Sequence, residues 1–264
     1  MSVLAVLAVR NESIHLPGQL DRLLNDQLDI AIIDNGSDDG SREICEEFQS
    51  KGSIKICDQP WTGEFSLHDQ LRLKADIIRS SNHDWVVHVD ADEWLQTPKP
   101  GQSLLDGLEE ADAGGANCVN FNEFVFVPMV GEDFYQTDYV QQMRRYYFFQ
   151  PAYPRLMRAW KRSANVSNID AGGHKLSGTN VQIHPVDFNL RHYIALSEEH
   201  VMKKYVGRKF SREDLESGWH FNRLGIRPDQ LRLRNSNCIF QLNEPIDRAF
   251  EKSSPTSQHF WEWS

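Results

Sequence analysis

Four short apolar runs constrain the fold of this chain more than any other feature of its sequence. They are VLAVLAV at 3–9, LDIAIID at 28–34, SIKICD at 53–58 and WVVHV at 85–89. Between them lie segments whose apolar residues recur at the spacing of a helix. Strands that alternate with helices in this way indicate βαβ units with right-handed crossovers. We therefore expect an α/β fold around a mainly parallel sheet, covered by helices on both faces.

Three helices are predicted between these strands. The first has leucines at positions 16, 20, 23 and 24, with Ser13 as its candidate N-cap and Pro17 in the first turn, where proline is tolerated. The second reads REICEEF and follows Ser41, which is its candidate N-cap. The third is predicted over 66–79, because apolar residues stand at positions 67, 71, 75 and 78.

The pattern weakens after residue 112. The segment 113–128 predicts a long strand or a hairpin, whereas 142–162 mixes arginines with aromatic residues and shows no clear period. A helix is predicted to begin near Ser197 and to contain HVMKKY. We expect one domain over 1–224, and an appendage over 225–264 that packs back on the core.

The stretch WVVHVDADEW at 85–94 places three carboxylates, Asp90, Asp92 and Glu93, at the end of a strand that is predicted to be buried. Like charges about 4 Å apart repel by roughly 1 kcal/mol in water, and by several times more where water is scarce. The carboxylates must therefore face solvent or surround a positive group. In the second case, removing one of them in the absence of a bound cation should relieve repulsion and leave stability unchanged or slightly higher.

Polar residues also follow the other predicted strands, at the edge of a parallel sheet where ligands usually bind. The clusters are Arg10-Asn11-Glu12, Asp34-Asn35, Asp58, and Asp90 with Asp92. The sequence contains neither a G-x-G-x-x-G nor a P-loop motif to cradle phosphates. Carboxylates that hold Mg²⁺ or Mn²⁺ could neutralise phosphate charge instead, and the metal would also screen the carboxylates from one another.

The charge of the chain is unevenly distributed. Residues 1–140 hold 9 Lys and Arg against 26 Asp and Glu, a net charge of −17, and residues 141–212 hold 13 against 4, a net charge of +9. So acidic a first half is a poor surface for nucleic acid. A cation in the first half and an anionic ligand near the second fit better. The alternative is two solvated surfaces of opposite charge packed together.

Cysteine usage and hydropathy suggest a cytoplasmic location. The four cysteines are widely spaced without a C-x-x-C pair, which disfavours a zinc site or a disulfide framework. No apolar run approaches the ~20 residues of a membrane helix, so we expect at most peripheral contact with a membrane. The apolar start MSVLAVLAV lacks a basic leader and is interpreted as a strand.

Three motifs, in this order, resemble those of family 2 glycosyltransferases with the GT-A fold. They are VRNES at 9–13, IIDNGSDDGS at 32–41 and WVVHVDADEWL at 85–95. DADEW is similar to the D-x-D-E-aromatic form of one subgroup, and RHYIALSEEHVMKK at 191–204 resembles a later segment of that subgroup. The resemblance covers 3–95 well and 170–205 loosely.

The resemblance implies a metal-dependent enzyme with Mn²⁺ or Mg²⁺. It would transfer a sugar from a UDP- or GDP-linked donor to a hydroxyl of a glycan or lipid-linked acceptor, with inversion, as in polysaccharide biosynthesis. The basic second half suggests that this acceptor is anionic. The nucleotide-sugar half would be about 1–112 and the acceptor half about 113–224.

The same resemblance implies roles for individual residues. Asp34 would accept a hydrogen bond from the nucleobase, Asp90 would lie near the ribose or metal, and Asp92 would ligate the metal that bridges the diphosphate. Asn35 stands where many relatives have a second aspartate. The remaining residues assigned to the nucleotide are Val9, Arg10, Glu12 and Ala91, with Arg72 and Lys74 as sources of positive charge unless they form an exposed helix face.

A metal-ligating histidine and a catalytic base remain to be chosen among several candidates. His192 is the preferred ligand because it lies in the family-like segment, with His174 and His184 as alternatives. For the base we favour Asp170 over Asp187, with Glu123 and Asp133 as earlier alternatives. Glu93 is expected to support the metal ligands, and His88 to be a hydrogen-bonded core residue.

Two other functions compete with this interpretation. A nucleotidyltransferase also holds a metal with carboxylates, but it usually carries a glycine-rich basic loop after the first strand, which RNES is not. A catalytically inactive binding module of the same fold is disfavoured by the intact Asp34, Asp90 and Asp92.

Overall fold

The computed structural model describes residues 1–232 and 236–263, in which ten strands form one mixed sheet and seven α-helices pack around it. The strands are β1 Val3–Val9, β2 Asp29–Asp34, β3 Ile54–Asp58, β4 Trp85–His88, β5 Glu93–Gln96, β6 Cys118–Phe126, β7 Arg145–Phe149, β8 Leu156–Lys161, β9 Phe188–His192 and β10 Ile239–Gln241. The helices are α1 Leu16–Asn25, α2 Ser41–Phe48, α3 Leu67–Ser80, α4 Leu104–Ala113, α5 Tyr139–Gln142, α6 Glu198–Tyr205 and α7 Arg212–Glu216. No helix of this described part is long and apolar enough to cross a membrane.

The first half of the sheet is parallel, in the order β3-β2-β1-β4. In register, Val9 lies beside Asp34, and Asp34 lies beside Asp58, so the carboxyl ends of these strands share one edge. β1 is buried along almost its whole length because helices cover both of its faces. The predicted α/β architecture, with its parallel central strands, is confirmed.

The second half of the sheet is largely antiparallel, in the order β10-β7-β6-β8, and β8 joins it to β4. β6 is a single strand of nine buried residues, which settles the choice between a strand and a hairpin. The segment with no assignable period contains β7 and β8, which lie on either side of β6. Both are almost entirely buried, so they lack the apolar–polar alternation that identifies a half-exposed strand.

Two of the predicted helix caps are wrong. His15 is the N-cap of α1 and makes no side-chain capping bond, whereas the Ser13 N–H donates to Asp39. Ser41 is the first residue of α2, after a Gly40 N-cap with φ of 93°. Both serines lie where the loops after β1 and β2 cross, and contacts between these loops take precedence over capping.

The starts of α3 and α6 are as predicted. Ser66 caps α3 by accepting a hydrogen bond from the Asp69 N–H. Ser197 caps α6 by accepting one from the His200 N–H. The first residues of these helices are therefore fixed in place, and both helices deliver lysines to the carboxyl edge of the sheet.

The residues after 224 pack on the second half of the sheet. β10 pairs with β7, Phe250 stacks on Phe124 with ring centroids 3.9 Å apart, and Trp261 is buried. The side chain of His259 reaches the cavity described below. The domain boundaries at residues 112 and 224 stay predictions.

Candidate active site

A cavity of about 390 Å³ opens at the carboxyl edge of β1 and β4, between them and the residues that follow α6. Its ionisable lining is unusually dense. The carboxylates are Glu12, Asp90, Asp92, Glu93 and Glu123, and the cations are Arg10, Arg155, Arg158, Lys204, Arg208 and Arg223. Charges of both signs therefore face a space large enough for part of a small ligand.

Asp92 is paired with a lysine from α6. Lys204 Nζ lies 2.6 Å from Asp92 Oδ2 and 3.6 Å from Glu12 Oε1. Burial opposes ionisation of Asp92, but Lys204 and His192 hold its pKa well below the ordinary value. Burial raises the pKa of Glu12 to about 7, although Lys204 lies beside it. The capping of α6 thus fixes a positive charge against the D-x-D motif.

His192 links Asp92 to Glu123. Its Nε2 lies 3.3 Å from Asp92 Oδ2, and its Nδ1 lies 2.7 Å from Glu123 Oε1. Burial opposes the charged imidazolium, yet the two carboxylates raise the pKa of His192 well above its usual value. Glu123 also pairs with Arg155, and despite burial this arginine and His192 lower the pKa of Glu123. The imidazole is therefore engaged at both nitrogens, and the two carboxylates favour its charged form.

Asp90 is the most open carboxylate of the cluster, with 44% of its side chain exposed. Lys74 Nζ lies 3.5 Å from it, and Arg158 Nη2 lies 3.4 Å from it and also pairs with Glu93. Burial raises the pKa of Glu93 to about 7 even beside this arginine. His88 is a buried, hydrogen-bonded residue as predicted, with Nε2 2.5 Å from Lys74 Nζ.

The positive groups among the three clustered carboxylates are thus side chains of the chain itself. Asp90 and Asp92 still fit a hard divalent cation, because both are oxygen donors and Asp90 opens toward the cavity. His192 stays the predicted histidine ligand, because its Nε2 lies 3.3 Å from Asp92 Oδ2 while Glu123 engages its Nδ1, as a carboxylate does when it orients a ligating imidazole. Among residues 1–232 and 236–263, no group of three or more His, Cys, Asp or Glu residues is arranged to hold a metal ion.

Arg10 and Asp34, which are predicted to bind the nucleoside of the donor, lie close together at the ends of β1 and β2. The Arg10 guanidinium stacks 3.9 Å over the Trp61 ring and donates to the carbonyls of Asn35 and Gly36. Asp34 is buried, and its Oδ1 accepts the Ser37 N–H at 3.1 Å.

Asn35, which stands where many relatives have an aspartate, makes hydrogen bonds that explain the asparagine. The Asn35 side-chain amide donates to the Gln59 carbonyl at 3.2 Å and to the Pro60 carbonyl at 3.4 Å, in the loop after β3. An aspartate could not donate either bond. The amide therefore ties the loop that carries Trp61 to the end of β2.

The residues predicted as candidates for the catalytic base differ in whether they line the cavity. Glu123 lines the cavity, whereas Asp170 and Asp187 do not. Asp170 is exposed to solvent in a short 3₁₀ helix, and Asp187 accepts hydrogen bonds from Asn120 and Tyr153 outside the cavity. The preference for Asp170 rested on its position along the chain, but the turn it occupies directs Ala171 and Gly172, not the carboxylate, to the cavity wall.

Other predicted residues are also divided. Lys74 is buried beside Asp90, but Arg72 is exposed and pairs with Glu213, with 2.5 Å between Nη2 and Oε1. Both lie on α3, two positions apart, and hence on different faces of the helix. Ala91 and His174 line the cavity, whereas Val9 is buried at the end of β1 and contributes no lining surface.

A segment that the sequence analysis did not identify covers the cavity. We call residues 211–223 the strap; its Trp219 lines the cavity and stacks on His68 with ring centroids 4.1 Å apart. Asp214 is fully buried and accepts hydrogen bonds from the backbone N–H groups of Leu67 and His68 and lies 2.8 Å from His68 Nδ1. The mixture of aromatic and basic residues in WHFNR at 219–223 was the only sequence signal for this role.

Replacing Asp214 by alanine should detach the strap from α3. Three partly buried groups lose their acceptor, so we expect the free energy of unfolding to fall by about 3 kcal/mol. Hydrogen bonds lower the pKa of Asp214 despite its burial, so its contribution is complete above the unfolded pKa near 3.8 and is lost as the pH falls. Urea unfolding at pH 7 and pH 3 measures both effects.

The neighbouring Glu213→Ala is the control for this experiment, because Glu213 is about half exposed. Its unfolding free energy should lie within about 0.5 kcal/mol of the wild-type value. Equal stability of Asp214→Ala and Glu213→Ala would show that the strap does not depend on the buried carboxylate.

Comparison with known proteins gives one informative match. The family model described as glycosyl transferase family 2 matches residues 5–166. No curated protein sequence matches the chain.

Solved structures give weaker likenesses. S. aureus TarS has a TM-score of 0.44 and 10% identity, over 88% of this chain and 42% of TarS, so the chain spans less than half of that protein. S. aureus TarS 1–349 in complex with UDP-GlcNAc has a TM-score of 0.44 and 13% identity, over 78% of this chain and 62% of the other. A putative glucose-1-phosphate thymidylyltransferase from Bacillus anthracis, in complex with a sucrose, has a TM-score of 0.33 and 11% identity, over 48% and 56% of the two chains.

Proposed function

Because the chain belongs to glycosyl transferase family 2, we propose that it transfers a sugar from a UDP- or GDP-linked donor to a hydroxyl of a glycan or lipid-linked acceptor, with inversion. The observation that carries this proposal is the cavity at the carboxyl edge of the sheet. There Asp90 and Asp92 of the D-x-D motif line the same space as Glu123 and six cations. Such a space suits a diphosphate that must leave and a hydroxyl that must lose a proton.

The donor nucleotide is proposed to lie along the ends of β1 and β2. Asp34 would accept a hydrogen bond from the base through its Oδ2, because Oδ1 already accepts the Ser37 N–H. Arg10 and the exposed face of Trp61 would flank the nucleoside. From there the diphosphate would extend to Asp90 and Asp92.

The charge of the leaving diphosphate is proposed to be met in part by a divalent cation held by Asp90 and Asp92. When bound, such an ion neutralises charge on the departing phosphate oxygens. When no cation is bound, Lys204 pairs with Asp92. The flexible ammonium group of Lys204 can turn toward a phosphate oxygen when the donor enters. Arg158 and Lys74 lie 3.4 Å and 3.5 Å from the carboxylate of Asp90 and orient it.

Glu123 is proposed as the base that takes the proton of the acceptor hydroxyl. Of the four candidates derived from the sequence, which also include Asp133, Asp170 and Asp187, it alone lines the cavity. Arg155 and His192 keep it ionised, which is the form that accepts a proton, but they also lower its basicity, so this role requires the entering acceptor to displace one of these partners. Its position on β6, in the proposed acceptor half, separates it from the nucleotide residues on β1 and β2.

The acceptor is proposed to carry negative charge. Residues 141–212 have a net charge of +9, and Arg155 places part of that charge in the cavity wall. The Michaelis constant for such an acceptor should rise with ionic strength, because salt screens the attraction.

The four cysteines are free, which supports a cytoplasmic location for the reaction.

A panel of UDP- and GDP-sugars tests the donor proposal through thermal stabilisation. A donor at 100 times its Kd should stabilise the native state by about 2.7 kcal/mol and raise the melting temperature. We expect this rise with Mg²⁺ or Mn²⁺, and a smaller one in excess chelator. No rise with any nucleotide sugar would count against the donor site.

Replacing Asp34 by asparagine should weaken nucleotide binding with little effect on the unliganded protein. The amide oxygen can still accept the Ser37 N–H. An NH₂ group replaces the second carboxylate oxygen, and this group donates and cannot accept a hydrogen bond from the nucleobase. We expect Kd for the nucleoside diphosphate to rise about tenfold, measured by calorimetry. Asp38→Asn, an exposed neighbour, is the control; if the two variants bind equally, Asp34 does not contact the base.

A further inference from the structure

The cations of the cavity outnumber the partners that the cavity offers them. Each of its five carboxylates has a cationic group within 4.0 Å. The pairs are Glu12 with Lys204, Asp90 with Lys74 and Arg158, Asp92 with Lys204 and His192, Glu93 with Arg158, and Glu123 with Arg155 and His192. Of the six lining cations, Arg10, Arg208 and Arg223 remain. Arg10 donates to the carbonyls of Asn35 and Gly36 and lies 3.9 Å from Asp38, outside the cavity. Within 1–232 and 236–263, the guanidinium groups of Arg208 and Arg223 have neither a salt bridge nor a hydrogen-bond acceptor.

Aromatic rings hold these two arginines without neutralising them. The Arg208 guanidinium carbon lies 4.2 Å from the centroid of the Phe65 ring, and that of Arg223 lies 5.6 Å from the centroid of Tyr205. A ring face orients a guanidinium but leaves its N–H groups free to donate. Both residues line the cavity, so those donors are available to a ligand.

The two arginines come from separate segments and meet in the cavity. Arg208 follows the turn after α6, and Arg223 ends the strap. Burial and the positive charge of Arg223 both lower the pKa of Arg208, as expected for like charges held close together. This repulsion would be relieved by an anion lying between them.

We propose that Arg208 and Arg223 form a subsite for a phosphate group of a substrate, distinct from Asp90 and Asp92. The inference rests on the proposed function, because it adds to that site a second source of positive charge that needs no divalent cation. Two guanidinium groups present paired donors to phosphate oxygens, which is the geometry that arginine offers to phosphate. The phosphate can belong to the diphosphate of the donor or to the acceptor.

Inorganic pyrophosphate in excess chelator is the probe for this subsite. We expect calorimetry to give a Kd for pyrophosphate that rises about tenfold in Arg208→Gln and in Arg223→Gln. Arg212→Gln is the matched control, since Arg212 is 90% exposed and pairs with Glu216 outside the cavity. Unchanged pyrophosphate affinity in both cavity variants, with native melting curves, would overturn the proposal.

The source of the phosphate follows from a second comparison, of UDP with UMP. If the subsite takes the diphosphate of the donor, both variants should reduce the preference for UDP over UMP. Weaker pyrophosphate binding with an unchanged UDP/UMP ratio would assign the subsite to a phosphate on the acceptor. If a glutamine variant unfolds, Arg208→Lys and Arg223→Lys replace it, because they keep the charge but lose the paired donors.

The same measurements separate this subsite from the proposed function. Wild-type protein that binds pyrophosphate through the arginines but turns over no nucleotide sugar would keep the subsite and reject the transferase site. Turnover by wild type with pyrophosphate affinity insensitive to both arginines would do the reverse.

Discussion

Replacing Asp92 by asparagine should abolish most activity and destabilise the unliganded protein. Asp92 is buried, and its carboxylate balances Lys204 and His192. Loss of one partner from a buried ion pair typically costs about 3–5 kcal/mol, because the other charge is left unpaired. Asp92 is also a proposed ligand of the cation that would meet the leaving diphosphate, so its loss should lower kcat by roughly 10²–10³-fold. Urea unfolding and turnover at saturating donor measure the two effects.

The expected fall in stability reverses the expectation drawn from the sequence. Clustered carboxylates suggested that removing one would relieve repulsion, but Asp92 already lies 2.6 Å from an ammonium group. The double variant Asp92→Asn with Lys204→Met is the matched control. It removes both charges and should recover much of the lost stability without recovering activity. A single variant as stable as wild type would contradict the ion pairing described here.

Replacing Glu123 by glutamine should lower kcat by about 10²–10⁴-fold, the range usual for loss of a general base. The amide is isosteric but cannot take the acceptor proton. Binding of the nucleoside diphosphate should change little, since Glu123 lies on β6 and not among the nucleotide residues. Initial rates at saturating donor and acceptor, together with calorimetry for UDP, separate the two effects.

Asp170→Asn and Asp187→Asn are the controls for the assignment of Glu123. Both residues were candidates from the sequence, and neither lines the cavity. Each variant should therefore keep nearly wild-type kcat. Loss of activity in Asp170→Asn, with Glu123→Gln active, would return the role of base to Asp170.

The parallel half of the fold could be predicted because its signals are local. Each of β1 to β4 is a short apolar run followed by a polar cluster, and the parallel arrangement places those clusters on one edge. The position of Asp34 and Asp90 at that edge follows from strand direction alone. Motif order then gave the family, which the match over residues 5–166 confirms.

The cation partners of the carboxylates could not be predicted in the same way. Lys204 lies 112 positions after Asp92, and the helix that carries it meets the D-x-D motif only in the folded chain. Periodicity in α3 did not show that Lys74 is buried while Arg72 is exposed, because both lie outside the apolar positions 67, 71, 75 and 78 from which the helix was predicted. Pairings between distant segments depend on tertiary packing.

The choice of Asp170 as the catalytic base stays a prediction, and the structure gives it no support for a related reason. Spacing along the chain favoured Asp170, but the cavity wall is formed by β6, whose buried face carries Glu123. A charged residue inside a long, otherwise uncharged strand was the available signal. Such a residue is rarely buried without a partner or a function.

The most direct test of the account is turnover of nucleotide sugars by the purified chain. Wild type should release nucleoside diphosphate from at least one UDP- or GDP-sugar, slowly with water and faster with acceptor, and Asp92→Asn should release almost none. NMR of the product would report inversion at the anomeric carbon. Conversion of a nucleotide sugar and pyrophosphate to a nucleoside triphosphate and a sugar 1-phosphate, without release of nucleoside diphosphate, would instead identify a nucleotidyltransferase. Binding without any turnover would identify an inactive module, and either result would contradict the transferase mechanism.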